Sequence, residues 1–308
     1  MIRAVGRAFV GDGELTERQG AILVAGSGVA FSVTAIAFRG VERASDFQFL
    51  TYRGLSTALV MVLLIIVRRS GRPVSFAGVS WRTWAAALVL AVTSMLYILA
   101  LSRTSAATTL FLLAAAPVFA AIIGWVLLRE RVEQSTLIAI GITAVGVTIM
   151  VGAGLDAGSA LGLFFAALIP VLVGLYSVIQ RSVSQVDPVI PTLIAAVFLT
   201  LGSGVIASSN SGLGVSGRDL TMAVISGGFA MGLGLPLFNL GHRSVAAARI
   251  PLLIMTEVVL APLWVWIWPG ETPDAGTLIG GAVIMSAVAW LMLRTRRSEL
   301  PRQVVAPT

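Results

Sequence analysis

The chain has 308 residues, 57% of them hydrophobic and 11% charged, with a formal net charge of +7 and a mean hydropathy of +0.96. Soluble domains carry roughly 25% charged residues, so a water-facing fold of this size is excluded. All 21 basic residues are Arg, scattered in short gaps between apolar runs rather than along one face, which argues for membrane topology and against nucleic-acid binding, and the lack of Cys removes disulfides, thiolate catalysis and Cys-based metal sites.

Residues 1–18 mix Asp12, Glu14 and Glu17 with Arg3, Arg7 and Arg18, and no short apolar core with a cleavage site follows them. They read as a cytoplasmic tail. A hydrocarbon core of about 30 Å needs about 20 apolar residues per helix. Ten such runs follow, at 19–38, 47–67, 84–102, 105–128, 135–152, 160–180, 189–207, 220–240, 244–268 and 276–293, with a second tail at 294–308. The expected fold is therefore an all-α membrane protein of ten transmembrane helices.

Polar residues inside these runs are the candidate binding groups. The first run carries Ser27, Ser32 and Thr34, and the second carries Arg53 about two turns from one end. The third carries Ser94 and Tyr97, the sixth Tyr176 and Ser177, and the eighth Asn239. The ninth carries Glu257 halfway along, with Arg249 near its start. An intramembrane carboxylate costs about 2.5–3.5 kcal/mol or more and is a functional-site candidate by default. Glu257 could carry a proton or accept a substrate ammonium; its alternative role is a hydrogen bond to a neighbouring helix or a pair with Arg53. Arg53 could attract a carboxylate or phosphate, or anchor its helix by snorkelling.

Pro117, Pro170, Pro236 and Pro262 lie in the fourth, sixth, eighth and ninth runs and are hinge or kink candidates. Gly228 to Gly232 in the eighth is a small-residue face for close packing. Trp264, Trp266 and Trp268 read as an interfacial aromatic belt. Glu130 and Glu271 read as helix-end residues that pair with nearby Arg. The single His, His242, sits beside Arg243 and cannot make a metal site alone.

With the amino terminus inside, 15 Arg fall on the cytoplasmic side and four, Arg39, Arg43, Arg103 and Arg218, on the other. That bias puts both termini in the cytoplasm. A shift of 140 residues lays Arg103 to Ala107 on Arg243 to Ala247. A shift of 141 lays Glu130 on Glu271, and one of 142 lays Arg39 on Arg181. The chain thus reads as two repeats, 19–152 and 153–293. Five spans per repeat is an odd number, so the second repeat runs inverted, and inverted repeats place a site between them near the midplane.

Tyr97 to Ala107, Ala116-Pro117-Val118-Phe119 and Leu128-Arg129-Glu130-Arg131-Val132 resemble the EamA repeat of the drug/metabolite transporter superfamily. A second copy is similar: Asn239 to Ala248, Thr256-Glu257 through Pro262 and Trp264, then Gly270-Glu271-Thr272-Pro273. Arg53 and the stretch from Tyr176 to Arg181 also match. Phe31-Ser32 stands where many members have a Trp-Gly-Ser segment, and the seventh run has no Arg to match Arg53. The resemblance implies a basket in which spans one to four and six to nine surround a central cavity, with spans five and ten peripheral. It also implies export of amino acids, other metabolites or drugs.

There is no Lys and no phosphate-binding Gly-rich loop, so ATP coupling is excluded. The expectation is a monomeric secondary or facilitative exporter of small polar metabolites, amino acids foremost, in a bacterial inner membrane. Its partners are the lipid bilayer and a small-molecule substrate, with protons as candidate coupling ions and no cofactor, metal or nucleic acid. A multidrug exporter and a non-transporting membrane subunit or sensor are the alternatives. A membrane enzyme is disfavoured because one His and one intramembrane acid supply no paired catalytic groups.

Overall fold

The computed structural model describes residues 15–68, 79–129, 134–152, 157–182, 186–187, 189–242, 244–245, 250–268 and 270–299, and among these it is almost wholly helical with no strand. The spans run in chain order as α1 (Glu17–Arg39), α2 (Asp46–Arg68), α3 (Trp81–Leu101), α4 in two pieces (α4a, Ala106–Leu113; α4b, Ala116–Leu128) and α5 (Gln134–Gly152). Then come α6 (Ala157–Ser182), α7 (Val189–Asn210), α8 in two pieces (α8a, Gly217–Val224; α8b, Gly232–His242), α9 (Ile250–Ile267) and α10 (Ala275–Glu299). Eight spans are long and apolar enough to cross a membrane, and the last two contribute shorter apolar stretches, Leu253–Ile267 and Ala275–Leu291.

Local chemistry sets several of these boundaries. Thr16 and Gln19 form a reciprocal capping box that starts α1, with Thr16 Oγ1 accepting from Gln19 N–H at 3.3 Å and Gln19 Oε1 accepting from Thr16 N–H at 3.0 Å. The fourth span is interrupted just before Pro117: α4a ends at Leu113, and Pro117 sits in the first turn of α4b, where a missing N–H leaves no bond unmade. Pro170, Pro236 and Pro262 stay inside α6, α8b and α9. Between α8a and α8b, residues Ile225–Met231 form a π-helical segment that the sequence pattern did not announce.

The helix pairings carry a symmetry. The extensive interfaces join α1 to α8 and α9, α2 to α7 and α8, α3 to α6 and α7, α4 to α6 and α9, and α5 to α10. Adding or subtracting five from every label returns the same set: α1–α9 becomes α6–α4, α3–α6 becomes α8–α1, and α2–α7, α4–α9 and α5–α10 map onto themselves. The contact of α10 with α4a is the exception. Two self-mapped pairs cross at glycine. A Cβ on Gly54 of α2 would stand 3.0 Å from the Ala196 carbonyl oxygen of α7, and one on Gly146 of α5 would stand 2.8 Å from the Gly280 carbonyl oxygen of α10. Absence of that carbon lets the backbones touch, which is how membrane helices gain packing without a hydrophobic drive.

The face opposite the start of α1 is tied across the halves. Asp219, in the first turn of α8a, accepts from the backbone N–H groups of Glu42, Arg43 and Ala44 at 2.9, 3.3 and 3.0 Å. Gln48 of α2 donates to the Gly212 and Gly214 carbonyls at 3.0 and 2.9 Å, and Arg218 pairs with Glu42 at 2.6 Å. At the start of α10, Asp274 accepts from the N–H and hydroxyl of Thr277 at 2.8 and 2.6 Å.

Candidate functional site

Arg53 lies about two turns into α2 and is 1% exposed. It does not snorkel. Its Nε donates to Ser226 Oγ of the π-helical segment at 2.9 Å, and its Nη1 donates to Ser94 Oγ of α3. The third nitrogen, Nη2, is buried and has no hydrogen-bond partner. The guanidinium is thus clamped on two sides with one edge left open.

Two further groups complete the cluster. Tyr97 stands one turn beyond Ser94 on α3, buried, with its hydroxyl unpartnered. Glu257 of α9 is 8% exposed. Arg53, Tyr97 and Glu257 lie within electrostatic reach of one another. No ion pair within 4 Å joins Arg53 to Glu257 among the described residues. A guanidinium and an ionisable carboxyl from distant parts of the chain therefore share one buried region without a direct ion pair.

The backbone geometry around them is exacting. A Cβ on Gly28 of α1 would stand 3.2 Å from the Glu257 amide nitrogen, so α1 lies flat against the carboxylate's own turn. Gly227 fits against the Arg53 carbonyl and Ser56 Oγ, where any Cβ would overlap both. The π segment loosens its own backbone ladder, and Thr57 of α2 meets it by donating to the Gly227 carbonyl at 2.9 Å.

Other candidates fall elsewhere. Ser27, Ser32 and Ser177 bond back to carbonyls of their own helices, those of Val24, Val29 and Val173, at 2.7, 2.7 and 2.8 Å. Thr34 is buried with its hydroxyl unpartnered. Tyr176 and Asn239 are half-buried on α6 and α8b. Trp264 is not a lipid-facing belt residue: its indole N–H donates to Ser32 Oγ at 3.0 Å, tying α9 to α1, because a Trp near a span end can as readily satisfy a buried hydroxyl as face the headgroups. Trp266 and Trp268 remain exposed. Close packing on the eighth span is centred one residue earlier than the expected Gly228, on Gly227, with Gly232 against Val60. Arg249, Arg243, Glu130 and the side chain of His242 lie outside the described residues.

Ser226 and Thr57 were missed because a hydroxyl among small residues carries no periodic signal; the run of glycines around Ser226 is the one cue. Among the described residues no three His, Asp or Glu side chains are placed to hold a metal ion.

Comparison with known proteins agrees with this architecture. Residues 18–152 match the EamA-like transporter family. A protein of Archaeoglobus fulgidus named an uncharacterized transporter is 29% identical over 286 residues, covering 89% of this chain and 97% of its own. A solved structure described as the crystal structure of a protein superposes on this chain with a TM-score of 0.66 at 17% identity, covering 92% of this chain and 98% of that one. At that identity the likeness speaks for the fold alone. The protein is a multi-pass membrane protein whose described residues form ten helical spans.

Proposed function

We propose that this protein is a secondary transporter that exports small polar metabolites, amino acids foremost, by alternating access across a bacterial cytoplasmic membrane, with both termini on the cytoplasmic side. The observation that carries the reading is the buried, unpaired opposition of Arg53 and Glu257. A buried charge without a partner is expensive in lipid. A zwitterion offers each of them one: its carboxylate to the open Nη2 edge of Arg53, its ammonium to Glu257. The cluster draws on α2 and α3 from the first repeat and the π segment and α9 from the second. A relative displacement of the repeats 19–152 and 153–293 therefore alters every contact to the bound solute at once. With both repeats in one chain, a monomer forms the path, and Glu257 is the group that exchanges protons.

The test is flux in proteoliposomes against a screen of amino acids, nucleosides and cationic drugs, with and without a pH gradient. Wild-type protein moves zwitterionic amino acids, and Glu257→Gln abolishes that flux while keeping its elution profile and melting temperature. Wild-type flux from Glu257→Gln removes the carboxylate from the mechanism. A multidrug exporter needs the carboxylate but not the guanidinium, so retention of cation flux in Arg53→Gln favours that second reading.

A further inference from the structure

We infer that Arg39 and Glu271 form a latch that closes the passage at the face opposite the start of α1, and that this latch must part before a solute can leave by that face. The inference rests on the alternating-access reading above. Arg39 ends α1 in the first repeat, and Glu271 lies in the turn between α9 and α10 in the second. Arg39 Nε stands 2.8 Å from Glu271 Oε2, an ion pair without the alignment of a hydrogen bond. Each side chain keeps 22% of its exposure, so the pair is neither a free surface contact nor sealed in the core.

Both partners hold a third element. Arg39 Nη2 donates to the Thr104 carbonyl at 2.9 Å, and Glu271 Oε1 accepts from the Ala106 N–H at 2.7 Å. Thr104 and Ala106 flank the start of α4a. The carboxylate therefore sits on the amino end of a helix, where the backbone dipole favours a negative charge. Two charged side chains thus knot the end of α1, the α3–α4 turn and the α9–α10 turn. These are the elements that carry Thr34, Tyr97 and Glu257 deeper in the molecule.

The chemistry suits a latch better than a permanent rivet. Elsewhere on this face Gln48 and Asp219 bind carbonyls and amides of turns, the Arg218–Glu42 pair ties α8a to the α1–α2 turn, and the Arg103–Asp46 pair ties the end of α3 to α2. The Arg39–Glu271 pair joins α1 to α9 and can be resolved by rotating two side chains into water. The sequence repeat also carries Arg181 and Glu130 at the positions equivalent to Arg39 and Glu271, so the same two residue types recur in both copies.

The natural absence of Cys makes the test direct. A single reporter, Thr34→Cys, is placed on α1 where the hydroxyl has no partner to lose, and is labelled with a membrane-impermeant maleimide added to one side of oriented vesicles. Glu271→Gln keeps the acceptor for Ala106 N–H and removes only the charge; Arg39→Lys keeps the charge. The expected result is a labelling rate from the latch face that rises about fivefold in Glu271→Gln, the shift that losing a partly exposed ion pair gives a two-state equilibrium, and stays near the parent rate in Arg39→Lys. An unchanged rate in Glu271→Gln, with labelling still seen from the opposite face, overturns the latch and leaves the transport reading standing. No labelling from either face in any variant overturns both.

Discussion

Arg53 shows what a buried cation needs in lipid. Its charge is tolerated because two hydroxyls from different helices accept from it, and because Glu257 lies within its field. Ser226→Ala removes one acceptor and leaves Nε buried and unmatched, which costs about 1.5–3 kcal/mol for a hydrogen bond to a charged group. The melting temperature in detergent is expected to fall accordingly, and Ser94→Ala to behave alike; a Ser226→Ala protein as stable as the parent would mean that Arg53 rearranges freely. The sequence exposed Arg53 and Glu257 because an ionised residue in an apolar run has no cheap explanation. It did not expose Ser226, since serine among glycines fits both packing and binding. Trp264 was misread for the same reason: its position satisfies the rule for interfacial belts and equally the need of Ser32 for a donor.

The elements were legible in number and order, because ten runs of apolar residues separated by Arg-bearing gaps leave few alternatives. Their interruptions were less so. Pro117 signals a disturbance, but whether it bends a helix or begins one depends on whether Ala114 and Ala115 continue the ladder, and here they turn. The π segment has no signature beyond its glycines. Gly227→Ala tests how much depends on it. A methyl there overlaps the Arg53 carbonyl and Ser56, so α2 and α8 must separate. Overpacking of this kind costs about 1–3 kcal/mol, and loss of the Arg53–Ser226 bond should follow, visible as a lowered melting temperature; Gly228→Ala, whose Cβ meets only ordinary contacts, serves as the control. At the start of α10, burial works against the charge of Asp274, yet bonds from Thr277 and neighbouring amides prevail and hold its carboxyl below the usual range. Its contribution is therefore present above the unfolded carboxyl pKa of about 3.9 and lost as pH falls through the lower folded value. Asp274→Ala should cost about 1 kcal/mol at neutral pH and nothing at pH values below both, read from melts across pH.

At the scale of the whole molecule, the packing runs across the division proposed at about residue 152. The extensive interfaces run between α1–α5 and α6–α10, whereas neighbours within one half, such as α2 and α3 or α9 and α10, touch sparingly. Each of the two proposed repeats therefore packs mainly against the other and has little core of its own. During synthesis, then, the first five helices enter the bilayer before any of their principal partners exist, and Arg53 waits there without Ser226. Residues 1–152 made alone should be degraded rapidly in cells, and co-synthesis with residues 153–308 should rescue them, as pulse-chase labelling would report. The finished protein is less two cups set rim to rim than the fingers of two clasped hands.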